Sequence, residues 1–154
     1  MLEISLLSLN ENFIAAHLLV AAGADVNMRD SYGYTLLTRL LKQNQYTKAD
    51  WLYSVGASIH TPNTKGYVRK TTLFVLVEYG NINAVSWLTR HGAVINDVEF
   101  RSTSLYAAIK RKQIGMVNYL ILIGAQVNHP GGSYLFEAHS NELLLIILIS
   151  PWIS

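Results

Sequence analysis

Leu36, Leu37, Leu40 and Leu41 stand at helical spacing and predict one apolar stripe on a short helix. A polar break, "KQNQYTK" (42–48), follows, then a second short helix carrying Ala49, Trp51, Leu52 and Tyr53. Gly56 ends that helix, because the left-handed residue just past a helix terminus suits glycine best. Segments 24–34, 57–70, 93–102 and 125–132 are rich in Gly, Asn, Asp, Pro and Ser and read as extended turns. The pattern therefore predicts helix pairs separated by turns.

The pattern is also periodic. "LLVAAGADVN" (18–27) returns as "WLYSVGASIH" (51–60), "WLTRHGAVIN" (87–96) and "YLILIGAQVN" (119–128). Gly-Ala pairs begin at Gly23, Gly56, Gly92 and Gly124, which are 33, 36 and 32 residues apart. Thr35 recurs as Thr71 and Thr103, each placed to cap a first helix through its hydroxyl. Two residues past each Thr stands Leu37, Leu73 or Leu105, and fifteen further on stands Leu52, Leu88 or Leu120. Three anchors recurring in register define a repeated unit.

A helix–turn–helix–β-turn unit of about 33 residues is the ankyrin period, and the chain resembles the ankyrin-repeat family over most of its length. "GADVN" and "DSYGYT" match the family pattern closely. Its T-P-L-H-x-A motif is degraded, with "TLLTRL", "TTLFVL" and "TSLYAA" in its place. The resemblance implies an all-α solenoid of stacked helix-turn-helix units joined by β-hairpin-like loops. It implies a single domain over 1–154, with repeats near 1–29 (partial), 30–62, 63–96, 97–128 and 129–154 (truncated).

The resemblance further implies that a protein partner binds at the hairpin tips and the concave face of the first helices. The second unit offers Tyr32, Tyr34, Arg39, Lys42 and Gln43 there, and the third Lys65, Tyr67, Arg69, Lys70, Glu78 and Tyr79. The fourth offers Phe100, Arg101, Lys110 and Arg111. Tyrosine and arginine are the side chains that interfaces favour. "TPNTKGYVRKTT" (61–72) holds the three extra residues of the longest period, and brings Lys65, Arg69 and Lys70 around Tyr67. Arg101 is expected on the adjacent hairpin, which completes a local basic patch. The second-helix column Leu18, Trp51, Trp87 and Tyr119 reads as packing between units rather than a ligand box, and "LFVLVEY" (73–79) likewise reads as core.

Composition narrows the function. With 51% hydrophobic and 14% charged residues in 154, the chain is expected to fold rather than stay disordered. Twelve basic against ten acidic residues leave a net charge of +2, so nucleic acid is not the expected partner. The absence of cysteine excludes disulfides, a thiol nucleophile and cysteine-bound metal. No signal peptide is read at the N-terminus, and the longest apolar run, "LLLIILI" (Leu143 to Ile149), is far short of the roughly 20 residues that span a membrane. An intracellular, cytoplasmic protein is expected.

Chemistry is not expected. His60 and His129 fall two units apart. At about 8–10 Å per helix layer they are roughly 20 Å from each other, too far to share a zinc. His91 precedes Gly92, where a cation complements the helix dipole. "HPGGSY" (129–134) lacks the lysine of a phosphate-binding loop, and no G-x-S-x-G elbow occurs. No catalytic residue, cofactor or metal is assigned. The expected function is a non-catalytic interaction scaffold. The alternatives are recognition of a polyanion (nucleic acid, phosphoinositide or phosphoprotein) through Lys65, Arg69, Lys70, Arg101, Lys110 and Arg111, and the targeting part of a larger effector or enzyme. The run Leu143 to Ile149 is expected to be covered by self-association or a downstream segment.

Overall fold

Helices of two lengths alternate along the chain. The computed structural model describes residues 13–127 except 66, 67, 97, 100 and 101, with the backbone alone at 13, 64, 65, 68, 69, 98, 99 and 102. In chain order the elements are α1 (Phe13–Ala21), α2 (Leu36–Lys42), α3 (Tyr46–Ser54), β1 (Asn63–Lys65), β2 (Val68–Lys70), α4 (Thr72–Glu78) and α5 (Ile82–Arg90), then β3 (Val98–Glu99), β4 (Ser102–Thr103), α6 (Ser104–Lys110) and α7 (Ile114–Leu122). α2, α4 and α6 have seven residues each, and α3, α5 and α7 have nine. α1, also of nine residues, takes the second-helix place of the leading unit. Helices below about 12–15 residues are marginal alone in water, so packing holds these. The fold is an all-α repeat whose strands, among the described residues, are short hairpins.

Recurrent residues set the helix ends. Thr35 is the N-cap of α2, its hydroxyl accepting from the Thr38 amide. Thr103 does the same for Tyr106 at α6, and Thr71 immediately precedes α4. At the far end of α3 the amide of Gly56 donates to Tyr53 O and that of Ala57 to Leu52 O, both at 3.1 Å. The same two bonds close α1 at Gly23 and Ala24, α5 at Gly92 and Ala93, and α7 at Gly124 and Ala125. This is the Schellman arrangement, which needs a left-handed residue. The four glycines lie at φ 87°, 103°, 89° and 95°. The polar break after α2 is shorter than the sequence predicts. α3 starts at Tyr46, and Tyr46, Thr47 and Lys48 form a first turn that is not buried.

The hairpins differ in length. Before α2 there is one bridge, Arg29 with Thr35. Before α4, β1 and β2 pair antiparallel as Asn63–Lys70, Thr64–Arg69 and Lys65–Val68. Before α6 the pairs are Val98–Thr103 and Glu99–Ser102. The longest hairpin thus sits in the 36-residue period, where the sequence predicts the insertion.

The residues divide into two compact units, the first running to Thr72 and the second beginning at Leu73. In the first, Ala16, Leu37, Leu40, Leu41, Ala49 and Leu52 are the innermost apolar side chains. A buried polar chain accompanies them. Asn63 Oδ1 accepts from the Thr35 amide (3.0 Å), and its Nδ2 donates to Thr72 Oγ1 (3.2 Å). The hydroxyl of Thr38 meets those of Thr35 (2.9 Å) and Thr72 (3.0 Å). Thr38 and Thr72 stand where the family motif has His and Pro, so hydroxyls supply the link between repeats. Asn27, which ends "GADVN", accepts from the Ser58 amide at 2.8 Å and ties two repeats.

In the second unit the buried side chains include Leu73 to Val77, Val85, Trp87, Leu88, Leu105, Ile109, Met116, Val117 and Leu120. Asn96 repeats the work of Asn27, accepting from the Gln126 amide at 2.8 Å. The expected column is packed at Trp87 and at Trp51, whose ring lies 4.7 Å from that of His17. It fails at Leu18, which is 65% exposed. "LFVLVEY" is core only as far as Val77, since Glu78 is half-buried and Tyr79 exposed. The C-terminal run Leu143 to Ile149 lies outside the described residues.

Candidate functional site

The turn before α2 is built around one carboxylate. The Asp30 amide donates to Tyr34 O and the Gly33 amide to Asp30 O, both at 2.9 Å, with Gly33 at φ 82°. The Asp30 carboxylate accepts from the amides of Tyr32 (2.8 Å) and Tyr34 (3.1 Å), the turn that aspartate side chains favour. It also accepts from Arg39 Nε on α2, and so joins the hairpin to the helix. Burial alone would raise the Asp30 carboxyl. The Arg39 hydrogen bond, the Tyr34 and Tyr32 amides and the Arg39 charge outweigh burial, and it is held below the ordinary value.

Asp30 thereby sets the position of Arg39. The Arg39 guanidinium carbon lies 5.1 Å from the Tyr32 ring centroid and 5.9 Å from that of Tyr34. Lys42 Nζ lies 4.4 Å from the Tyr34 ring centroid. Both are cation–π distances. Tyr32 stays 61% exposed, while Tyr34 and the Arg39 side chain are partly covered. Four of the five residues read from the second repeat, Tyr32, Tyr34, Arg39 and Lys42, therefore form one cluster, and Gln43 stands outside it.

The second unit carries a different arrangement. Arg111 Nη2 donates to Glu78 Oε1 at 2.9 Å, and Gln113 Nε2 to Glu78 O at 3.2 Å. Lys110 Nζ lies 6.0 Å from the Tyr106 ring centroid, and Tyr79 is 58% exposed. Lys70 is half-buried, its carbonyl accepting from Asn63 Nδ2 at 3.4 Å. Lys65 and Arg69 are described as strand backbone only, and Tyr67, Phe100 and Arg101 lie outside the described residues.

Sequence reasoning missed Asp30. The signal was the "DSYG" turn, in which an aspartate two residues before a tyrosine binds that residue's amide. It also missed Asn63 and the recurrent Asn27 and Asn96, although asparagine visibly ends three of the four Gly-Ala phrases. His91 stacks on Trp87 at 3.7 Å, and its Nδ1 donates to Trp87 O at 2.7 Å. Among the described residues no three His, Asp or Glu side chains are placed to hold a metal ion. No helix among them is long and apolar enough to cross a membrane.

Paired short helices, Schellman-closed ends, hairpins at each junction and asparagine links define a helical repeat protein. The family model for ankyrin repeats, in three copies, matches residues 41–130. The chain is 30% identical over 136 residues to the B-cell lymphoma 3 protein homolog of Mus musculus, covering 84% of this chain and 30% of that protein. It is 32% identical over 78 residues to a protein of Rickettsia bellii (strain RML369-C) named for its ankyrin repeats, covering 51% of this chain and 45% of that one. The match spans under half the length of each relative. The chain belongs to the ankyrin-repeat family, whose repeats in general mediate protein–protein interaction and form non-catalytic scaffolds.

Proposed function

We propose that this chain is a non-catalytic interaction module that holds a partner protein at the Tyr32 hairpin and the adjoining end of α2. The observation that carries the reading is the Tyr32–Tyr34–Arg39–Lys42 cluster. Two aromatic rings and two cations are gathered on one surface, with Asp30 holding Arg39 and the amides of Tyr32 and Tyr34. Tyrosine and arginine dominate interface energetics when they are positioned in advance, because less side-chain freedom is lost on binding. The proposal extends to Lys65, Tyr67, Arg69 and Lys70 of the second hairpin, to Phe100 and Arg101, and to Lys110 and Arg111.

A polyanion is a poorer fit. One of the arginines that such a reading needs, Arg111, already faces a carboxylate, that of Glu78. The test is affinity capture with the full chain against Tyr32→Ala and Arg39→Ala. A captured protein lost from both variants, with unchanged circular dichroism, supports the proposal. Equal recovery by the variants refutes this placement.

A further inference from the structure

We infer that the Tyr32–Arg39 surface reads a carboxylate side chain, so that the partner presents an acidic segment there. This rests on the proposed reading of that surface as a partner site. It adds the chemistry of what is bound.

Arg39 has five N–H donors in a planar fork. Asp30 takes Nε. Among the described residues that is the one acceptor on the guanidinium, so the terminal Nη groups are left to donate to an outside ligand. Tyr32 and Tyr34 lie within cation–π reach of the guanidinium and limit its motion. A fork with two terminal donors and a restricted plane matches a carboxylate in bidentate geometry. The exposed Tyr32 ring beside it offers apolar contact to the methylenes of a glutamate.

Charge favours the same ligand. Between Phe13 and Thr72 the sequence has seven basic and three acidic residues, so this part of the chain attracts an acidic segment. Asp30 argues against a more highly charged ligand. A phosphate dianion on Arg39 would face that carboxylate, whereas a single carboxylate shares the guanidinium with less repulsion. Arg111 differs because Glu78 already occupies one of its terminal nitrogens.

The test is nuclear magnetic resonance of the isotopically labelled full chain, with hexaglutamate as the probe, hexaglutamine as its neutral counterpart and a six-phosphate single-stranded oligonucleotide as the rival. The expected result is saturable movement of the Arg39 side-chain and Tyr32 ring signals with hexaglutamate, and none with hexaglutamine. Arg39→Lys keeps the charge but loses the fork, and is expected to weaken hexaglutamate binding by about tenfold or more. Tyr32→Leu, which keeps bulk without the ring, is expected to weaken it as well, with circular dichroism unchanged for both. Undiminished binding by Arg39→Lys would overturn the inference, as would preference of the Arg39 signals for the oligonucleotide. If hexaglutamate leaves Arg39 unmoved while Tyr32→Ala and Arg39→Ala still lose the captured protein, the acidic-segment inference fails and the protein-binding proposal stands. If those variants retain the captured protein, the proposal fails and the inference fails with it.

Discussion

Replacing Lys112 by glycine should stabilise this protein, an unusual expectation for a substitution that removes a whole side chain. Lys112 lies between α6 and α7 at φ 56°, in the left-handed region. The corresponding residues of the two preceding repeats are Asn44 at φ 59° and Gly80 at φ 70°. Asparagine and glycine tolerate that conformation, but a lysine there costs about 1–2 kcal/mol. Glycine removes that strain and gives back about 0.4–1 kcal/mol through the greater freedom of the unfolded chain. The side chain is exposed and has no hydrogen bond or ion pair among the described residues, so little else is lost. The net gain is roughly 0.5–1 kcal/mol, or about 1–4 °C in Tm for a chain of this length. The converse, Gly80→Lys, meets the same strain, and its Cβ would also fall 3.2 Å from Gln113 Nε2. It should destabilise by about 1–2 kcal/mol or more. Thermal unfolding followed by circular dichroism checks both. A Tm lowered by Lys112→Gly, or unmoved by Gly80→Lys, would refute the backbone argument.

Leu88 is fully buried in α5, so Leu88→Ala should lower stability in urea by about 2–5 kcal/mol; a change within about 0.5 kcal/mol would contradict its place in the core. Gln45, the N-cap of α3, makes no capping bond, whereas Asn81 at the same place in α5 accepts from the Ala84 amide. Gln45→Asn should therefore stabilise by roughly 0.5–1 kcal/mol, measured in the same denaturation assay. Asp30 is held below its ordinary value of 3.8 when folded, so its contribution to stability is present above that pH and lost as pH falls through the lowered folded value. The stability gap between wild type and Asp30→Asn should be open at neutral pH and close in that acid range. A gap unchanged throughout would mean the carboxylate charge contributes nothing.

The parts legible in the sequence are those decided within one turn of chain. Gly23, Gly56, Gly92 and Gly124 mark helix ends because the conformation there is left-handed, at φ 87–103°, and the capping Thr35 and Thr103 and the six recurrent leucines follow from helix chemistry. The links between repeats were less accessible. Thr38 and Thr72 are 34 residues apart, and no local rule pairs them. Asn27 reaches Ser58 across 31 residues, although its recurrence as Asn96 announced a shared duty. The Tyr and Arg members of the site were readable from their place in the unit. Asp30, which organises them, was not, because its carboxylate closes a local turn and a contact nine residues away at the same time. Lysine has no left-handed preference, so Lys112 could be placed only through its register with Gly80.

The account turns on where a partner protein sits, and amide hydrogen exchange of the full chain, alone and with its captured partner, measures this directly. It predicts slower exchange on binding at Tyr32, Gly33 and Tyr34 of the hairpin and through the last turn of α2 to Gln43, with the outer face of α3 unaffected. Protection confined to α1, α3, α5 or α7, with the Tyr32 hairpin exchanging at its free rate, would contradict it.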